Sequence, residues 1–222
     1  MDNIKNDFYY VKRLLKRIEV TMRYLEGVTI DDLASDGFMC DAIENRFTKI
    51  SEDASKLTKD YKESINAIPW PAIYSIRNRV VHDYDVVDFS ILYKTVKTNF
   101  PQFKRALLDS IPTCHMKLND EPFQLIKSKQ KTIEMRLFDE KRQKLKIGDL
   151  IVFTNNKTKE EMLTEVVDLK RYNDFHELYA HYMKTEIGYG KDDNPNPNDM
   201  NEYYKDNDIK KYGVLAIEIK VY

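Results

Sequence analysis

The chain is poor in cysteine, glycine and histidine, and each shortage closes off a class of chemistry. Only two cysteines occur, Cys40 and Cys114, far outside any Cys-x-x-Cys spacing. A disulfide-dense scaffold and a thiolate metal cluster are thereby excluded, and two free thiols suit a reducing cytoplasm. Six glycines build neither a phosphate-cradling loop nor a dinucleotide fingerprint, and no Gly-x-Ser-x-Gly elbow is present. The four histidines, His82, His115, His176 and His181, form no His-x-x-x-His pair, so neither a metal nor another cofactor is expected. No run approaches 18 apolar residues and MDNIKNDFYY lacks the layout of a secretory signal, so no membrane partner is expected. A net charge of −1, from 36 Lys+Arg against 37 Asp+Glu, excludes a strongly basic nucleic-acid coat while leaving room for local patches.

What is present is a 222-residue chain, 42% hydrophobic and 12% aromatic, too aromatic to be disordered and long enough for two domains. Its periodicity changes near residue 112. Before that point Ile4, Phe8, Val11, Leu15, Ile18, Met22 and Leu25 recur at steps of three and four, the stripe of a long amphipathic helix with Gly27 as its stop. Met39, Ile43, Phe47, Ile50, Ala54 and Leu57 predict a second. A third is expected from Ala72 towards His82 after the breaker Ile68-Pro69-Trp70-Pro71. A fourth starts near Asp88, carrying Phe89, Leu92, Val96 and Phe100, and Pro101 opens a short fifth. Short connections make this an antiparallel α-helical bundle.

After residue 112 the period shortens to two. Ile133, Met135 and Leu137 alternate with Thr132, Glu134 and Arg136, and Leu150–Phe153, Met162–Leu169 and Val214–Val221 read as further strands. Short helices at 122–127 and 175–183, with a polar loop at 190–199, complete a small mixed β-barrel. The expected division is 1–112 and 115–222.

One cluster in the first half gathers chemistry: Arg77-Asn78-Arg79-Val80-Val81-His82-Asp83-Tyr84. A guanidinium that is always charged, an imidazole that titrates near neutrality and a phenol lie within eight residues. Histidine can move a proton at physiological pH, and arginine can stabilise charge building on a phosphorus-bound oxygen. The bland alternative is a surface helix with a histidine at its C-terminus.

Arg77, four residues, His82, one residue, Tyr84 resembles the Arg-x4-6-His-x-Tyr signature of HEPN ribonucleases, and Arg77-Asn78 resembles the HepT-type toxin branch. Ile50-Ser51-Glu52-Asp53-Ala54 is similar to that branch's Ile-Gly-Glu-Ala segment, with Ser51 in place of the glycine, and Ile68-Pro69-Trp70 to its lead-in. The resemblance covers about residues 3–110. It implies a metal-independent endoribonuclease with Arg77 and His82 as catalytic residues, supported by Asn78, and a homodimer with two motifs facing one cleft. Cleaving RNA through its own 2′-hydroxyl needs both a base and an acid, and this half holds a single histidine, so a symmetric pair would supply the second. The resemblance also implies a separate nucleotidyltransferase antitoxin that transfers AMP to Tyr84.

In the second half, residues 117–146 carry nine basic and five acidic side chains, a local excess able to meet phosphates or simply to be solvated. Lys129 to Arg136 resembles the Gly-x-Lys-Thr-x-Glu-x-Arg motif of the ASCH domain, a small PUA-like barrel implicated in RNA binding. Lys129 stands where that motif has glycine, which predicts a turn without its positive φ. The resemblance implies an RNA- or modified-nucleoside-binding pocket formed by Lys131, Thr132, Glu134 and Arg136. ASCH-like amidohydrolases use a Lys-Thr-x-Thr pattern whose second threonine is the nucleophile. Here that position is Glu134, which favours a binding pocket over an amidase. The expected activity is RNA cleavage by the first half and recognition by the second. The alternatives are an amidohydrolase on modified nucleosides and a non-catalytic RNA-binding module dimerised by its helical half.

Overall fold

The long apolar stripes of the first half do become long helices. A computed structural model describes residues 6–74 and 88–222, which fall into two compact units, Met1–Ile111 and Pro112–Tyr222. In the first, α1 (Asp7–Tyr24) begins where the Asn6 side chain accepts from the Tyr9 amide, and it buries Val11, Leu14, Leu15, Ile18 and Thr21. α2 (Ile30–Ser35) opens on a reciprocal Thr29–Asp32 capping box, and α3 (Gly37–Ser55) buries Ile43, Phe47, Ile50 and Ala54. The start of α4 (Lys59–Ser64) is tied to the start of α1, because Thr58 donates its amide and hydroxyl to the Asp7 carboxylate at 2.8 and 2.7 Å.

Residues 70–74 are helical. Trp70 donates its indole N–H to the Lys62 carbonyl and packs edge-on against Phe103. The rest of the helix expected to run towards His82 lies outside the described residues. α5 (Phe89–Lys94) passes through a π turn, Thr95–Asn99, into α6 (Phe100–Asp109). Pro101 stands in the first turn of α6, as expected, and the backbone passes from the π turn into that helix without a break. Proline lacks an N–H to donate, and a wider turn just before it absorbs the shift in hydrogen bonding. α1 packs against α3 and α6, and Lys97 caps the end of α1 by donating to the Leu25 carbonyl at 2.7 Å.

The second unit is a five-stranded mixed sheet that curls into a half-barrel: β1 (Thr113–Leu118), β2 (Ile133–Leu137), β3 (Leu150–Asn155), β4 (Glu161–Tyr172) and β5 (Val214–Val221), in the order β1-β3-β4-β5-β2. β1 runs parallel to β3 and the other pairs are antiparallel, so β1 and β2 form the edges. One core gathers Met116, Phe123, Ile151, Phe153 and Ile217, and a second gathers Ile133, Met135, Phe175, Leu178 and Val214. β5 feeds both cores, which is why its first four residues are all buried. Three helices decorate the sheet: α7 (Asp120–Lys127), α8 (Phe175–Tyr179) and α9 (Asp206–Tyr212).

The turn after α7 corrects one expectation. Lys129 keeps the left-handed conformation, φ 64°, although it carries a side chain where glycine was expected to be required. Its amide donates to the Ile126 carbonyl, and the amides of Gln130 and Lys131 both reach the Leu125 carbonyl. These bonds satisfy the helix end and hold a strained residue in place.

Candidate functional site

Arg77, Asn78, His82 and Tyr84 lie outside the described residues, so only the approach to them has described geometry. The segment Ile50–Ala54 occupies the last turns of α3. Ile50, Ser51, Asp53 and Ala54 are buried, and Glu52 points outward to pair with Lys49. Tyr74, three residues before Arg77, donates its hydroxyl to the Ala54 carbonyl at 3.2 Å. Beside it, the buried Asp53 carboxylate takes two arginines from α1: Arg13 through Nε and Nη2 at 3.1 Å, and Arg17 through Nε at 2.6 Å. Tyr9 and Asp53 hold the Arg13 guanidinium above the usual arginine range. This arrangement was not anticipated. Its one sequence trace is the four-residue spacing that puts both arginines on one face of a helix.

In the second unit the period of two places Glu134 and Arg136 on the same face of β2. Arg136 Nε lies 2.8 Å from Glu134 Oε1, and Lys131 Nζ lies 3.2 Å from Oε2. The Glu134 side chain is 5% exposed, Lys131 8% and Arg136 18%. The Arg136 guanidinium also donates to the Lys117 carbonyl at 2.9 Å. Burial pulls its pKa down, but Glu134 and Tyr204 outweigh that and raise it, while burial raises Tyr204 against the opposing pull of Arg136. Glu134 Oε2 makes no hydrogen bond of acceptable geometry among the described residues, so its acceptor capacity is not exhausted by the nearby charge.

Lys131, Glu134 and Arg136 line one cleft of about 730 Å³; Thr132 does not. The Thr132 backbone is instead structural: its amide and that of Ile133 both donate to the Glu186 carbonyl, and its own carbonyl accepts from Ile219. Gly188, φ +107°, faces the Lys131 stem, and a Cβ there would stand 3.1 Å from Lys131 Cδ. The far wall is aromatic. Tyr179 and Tyr189 share a hydroxyl contact of 3.1 Å, and Tyr189 donates onward to Asp199 at 2.8 Å. Tyr204 lines the same cleft and stacks on Phe175. Although residues 117–146 are basic as a run, the cleft is acidic. Lys117, Lys131 and Arg136 face Glu121, Glu134, Asp193, Asp199 and Glu202, because three of the acids come from the loop after residue 190 and the short 3-10 helix Pro197–Glu202 that follows it. Among the described residues no group of three His, Cys, Asp or Glu side chains could hold a metal ion, and no helix is long and apolar enough to cross a membrane.

Two family models account for most of this sequence. Residues 14–109 match the model described as Ribonuclease HepT-like, and residues 116–222 match the ASCH domain. The chain joins a HepT-like domain to an ASCH domain. The HepT-like match encloses the Arg77–Tyr84 motif, and the ASCH match encloses the Lys131–Glu134–Arg136 cluster. The chain is 29% identical over 99 residues to "Gamma-glutamylcyclotransferase and putative RNase MJ0434" of Methanocaldococcus jannaschii, covering 45% of each protein. It thus spans under half the length of that relative. It is 27% identical over 100 residues to "Probable ribonuclease HepT" of Thermococcus cleftensis, covering 43% of this chain and 86% of that one. A crystal structure of the hypothetical protein PH0355 is similar over 50% of this chain and all of its own length, at 30% identity and a TM-score of 0.44.

Proposed function

We propose that the protein is a metal-independent endoribonuclease of toxin type, with cleavage in the HepT-like domain and ligand recognition in the ASCH domain. The observation that carries this reading is the HepT-like match over 14–109, within which Arg77, His82 and Tyr84 keep the spacing of a proton-transfer and phosphate-stabilising set. His82 takes the proton from the 2′-hydroxyl, the oxygen attacks the adjacent phosphorus, and Arg77 stabilises the charge on the non-bridging oxygens. A proton delivered to the departing 5′-oxygen completes the step and leaves a 2′,3′-cyclic phosphate. The acid is the His82 of a second copy, so the active species is a homodimer, and Asn78 supports the motif. Transfer of AMP to Tyr84 by a separate nucleotidyltransferase places a bulky anion beside the cleft and blocks RNA.

For the ASCH cleft, the acidic lining and tyrosine wall favour an uncharged nucleoside unit over a phosphate chain. A base can lie against the rings, and the Glu134 carboxylate can accept an N–H from its edge. The test is cleavage of total RNA by the full chain in the presence of chelator, with His82→Ala alongside. Cleavage by the wild type alone supports the assignment, and equal cleavage by both proteins refutes it.

A further inference from the structure

We propose that the groove between α1 and α3 is a phosphodiester-binding track that holds an RNA strand by its backbone, through Arg17 and Arg46. The groove encloses about 440 Å³ and is lined by Tyr9, Arg13, Lys16, Arg17, Val20 and Arg46. Four of these six side chains are cationic and none is acidic. Arg13 and Arg17 stand one turn apart on α1, and Arg46 comes from α3 and lies over the Tyr24 ring, 5.5 Å from its centre.

Among the described residues the acid behind the groove is Asp53, only 4% exposed. One buried carboxylate cannot neutralise three arginines, so among the described residues the groove carries a net positive charge. Asp53 orients Arg13 and Arg17 instead. It holds Arg17 by Nε alone, which leaves both terminal amino groups of that guanidinium available to another acceptor. A planar fork already fixed in direction loses little entropy on meeting a phosphate and can bind it through two parallel bonds. A role confined to tying α1 to α3 would explain the two Nε contacts with Asp53. The Arg46–Tyr24 stack also joins the two helices, but neither contact uses the terminal amino groups of Arg17.

RNA is favoured over another polyanion by what adjoins Asp53 along the chain. Asp53 is followed by Ala54, whose carbonyl accepts the Tyr74 hydroxyl, and Tyr74 precedes Arg77 by three residues. The acid that orients the arginines is thereby tied to the segment entering the nuclease motif. In naming an RNA strand, the inference rests on the nuclease reading.

The test measures binding of a labelled single-stranded RNA to the full chain in a His82→Ala background, as a function of salt. Arg17→Gln/Arg46→Gln is expected to weaken binding about tenfold or more at low salt. The slope of log affinity against log salt should shrink by about 0.7 for each cation removed. Arg46→Gln alone leaves the Asp53 contacts intact and should show about half the slope change, with Arg46→Lys restoring most of it. Unchanged affinity and slope in folded variants would overturn the proposal. Unchanged RNA binding with loss of polyglutamate binding would also overturn it, by assigning the groove to an acidic protein. Cleavage by the His82-containing protein, measured alongside, separates the two readings. Groove-dependent binding without cleavage removes the nuclease and leaves the track, whereas cleavage with groove-independent binding does the reverse.

Discussion

Replacing Glu134 by alanine strands two cations at once. Lys131 and Arg136 share that carboxylate, and all three side chains are at least four-fifths buried. Removing one partner of a buried pair typically costs about 3–5 kcal/mol, because the remaining charge loses its counterion without regaining water. Here the adjoining cleft gives the Lys131 ammonium a path to solvent, and Arg136 retains the Lys117 carbonyl. Both features argue for the lower end, about 3 kcal/mol. At about 1.4 kcal/mol per tenfold, that is roughly a hundredfold in the opening equilibrium of the second unit. The assay is amide hydrogen exchange on peptides from β2 and β5, whose ladder runs Glu134 opposite Ile217 and Arg136 opposite Leu215. Exchange there should quicken by about two orders of magnitude in Glu134→Ala, with peptides from α1 and α3 as an unaffected internal reference. A change of less than threefold would refute the view that Glu134 holds this edge of the sheet together.

Other outcomes follow from the same geometry. Gly188→Ala combines a positive φ with a Cβ 3.1 Å from Lys131 Cδ, so the second unit should lose about 1–2 kcal/mol in denaturant titration. Lys129→Gly relieves the strain of φ 64° at some entropic cost and should leave stability unchanged or raise it by up to about 1 kcal/mol. Burial, aided by a neighbouring hydroxyl for Tyr189 and by Glu165 for Tyr222, raises the pKa of Tyr204, Tyr189 and Tyr222. Raised folded values mean that stability present below pH 10 is lost as pH climbs beyond it. Phenolate absorbance should therefore lag a free-tyrosine curve and then rise together with unfolding.

The sequence made some of these features readable and hid others for identifiable reasons. Stripes of about four turns, such as Val11–Leu25 and Ile43–Leu57, announced α1 and α3, whereas α2 and α4 are six residues each and too short to show a period. β1 went unread because its partner β3 lies over thirty residues away and its Thr-Cys-His-Met-Lys-Leu run is only half apolar. The Glu134 and Arg136 pairing was legible from strand alternation, but the acidic lining of their cleft was not. It depends on Asp193, Asp199 and Glu202, brought in by a segment distant in sequence. Lys129 shows that backbone hydrogen bonds can impose a conformation that residue type alone argues against. The paired hold of Arg13 and Arg17 on Asp53 is likewise a tertiary fact, joining positions about forty residues apart.

The most direct test of the central claim is the fate of a labelled RNA incubated with the purified full chain in excess chelator, comparing wild type, His82→Ala and Arg77→Lys. Wild type should yield fragments ending in 2′,3′-cyclic phosphate, and both variants should lose most of that activity, since a lysine at position 77 keeps the charge but lacks the planar fork with which an arginine can grip a phosphate. Equal cleavage by wild type and His82→Ala, or no cleavage by any of the three, would contradict the assignment of this chain as a ribonuclease acting through that motif.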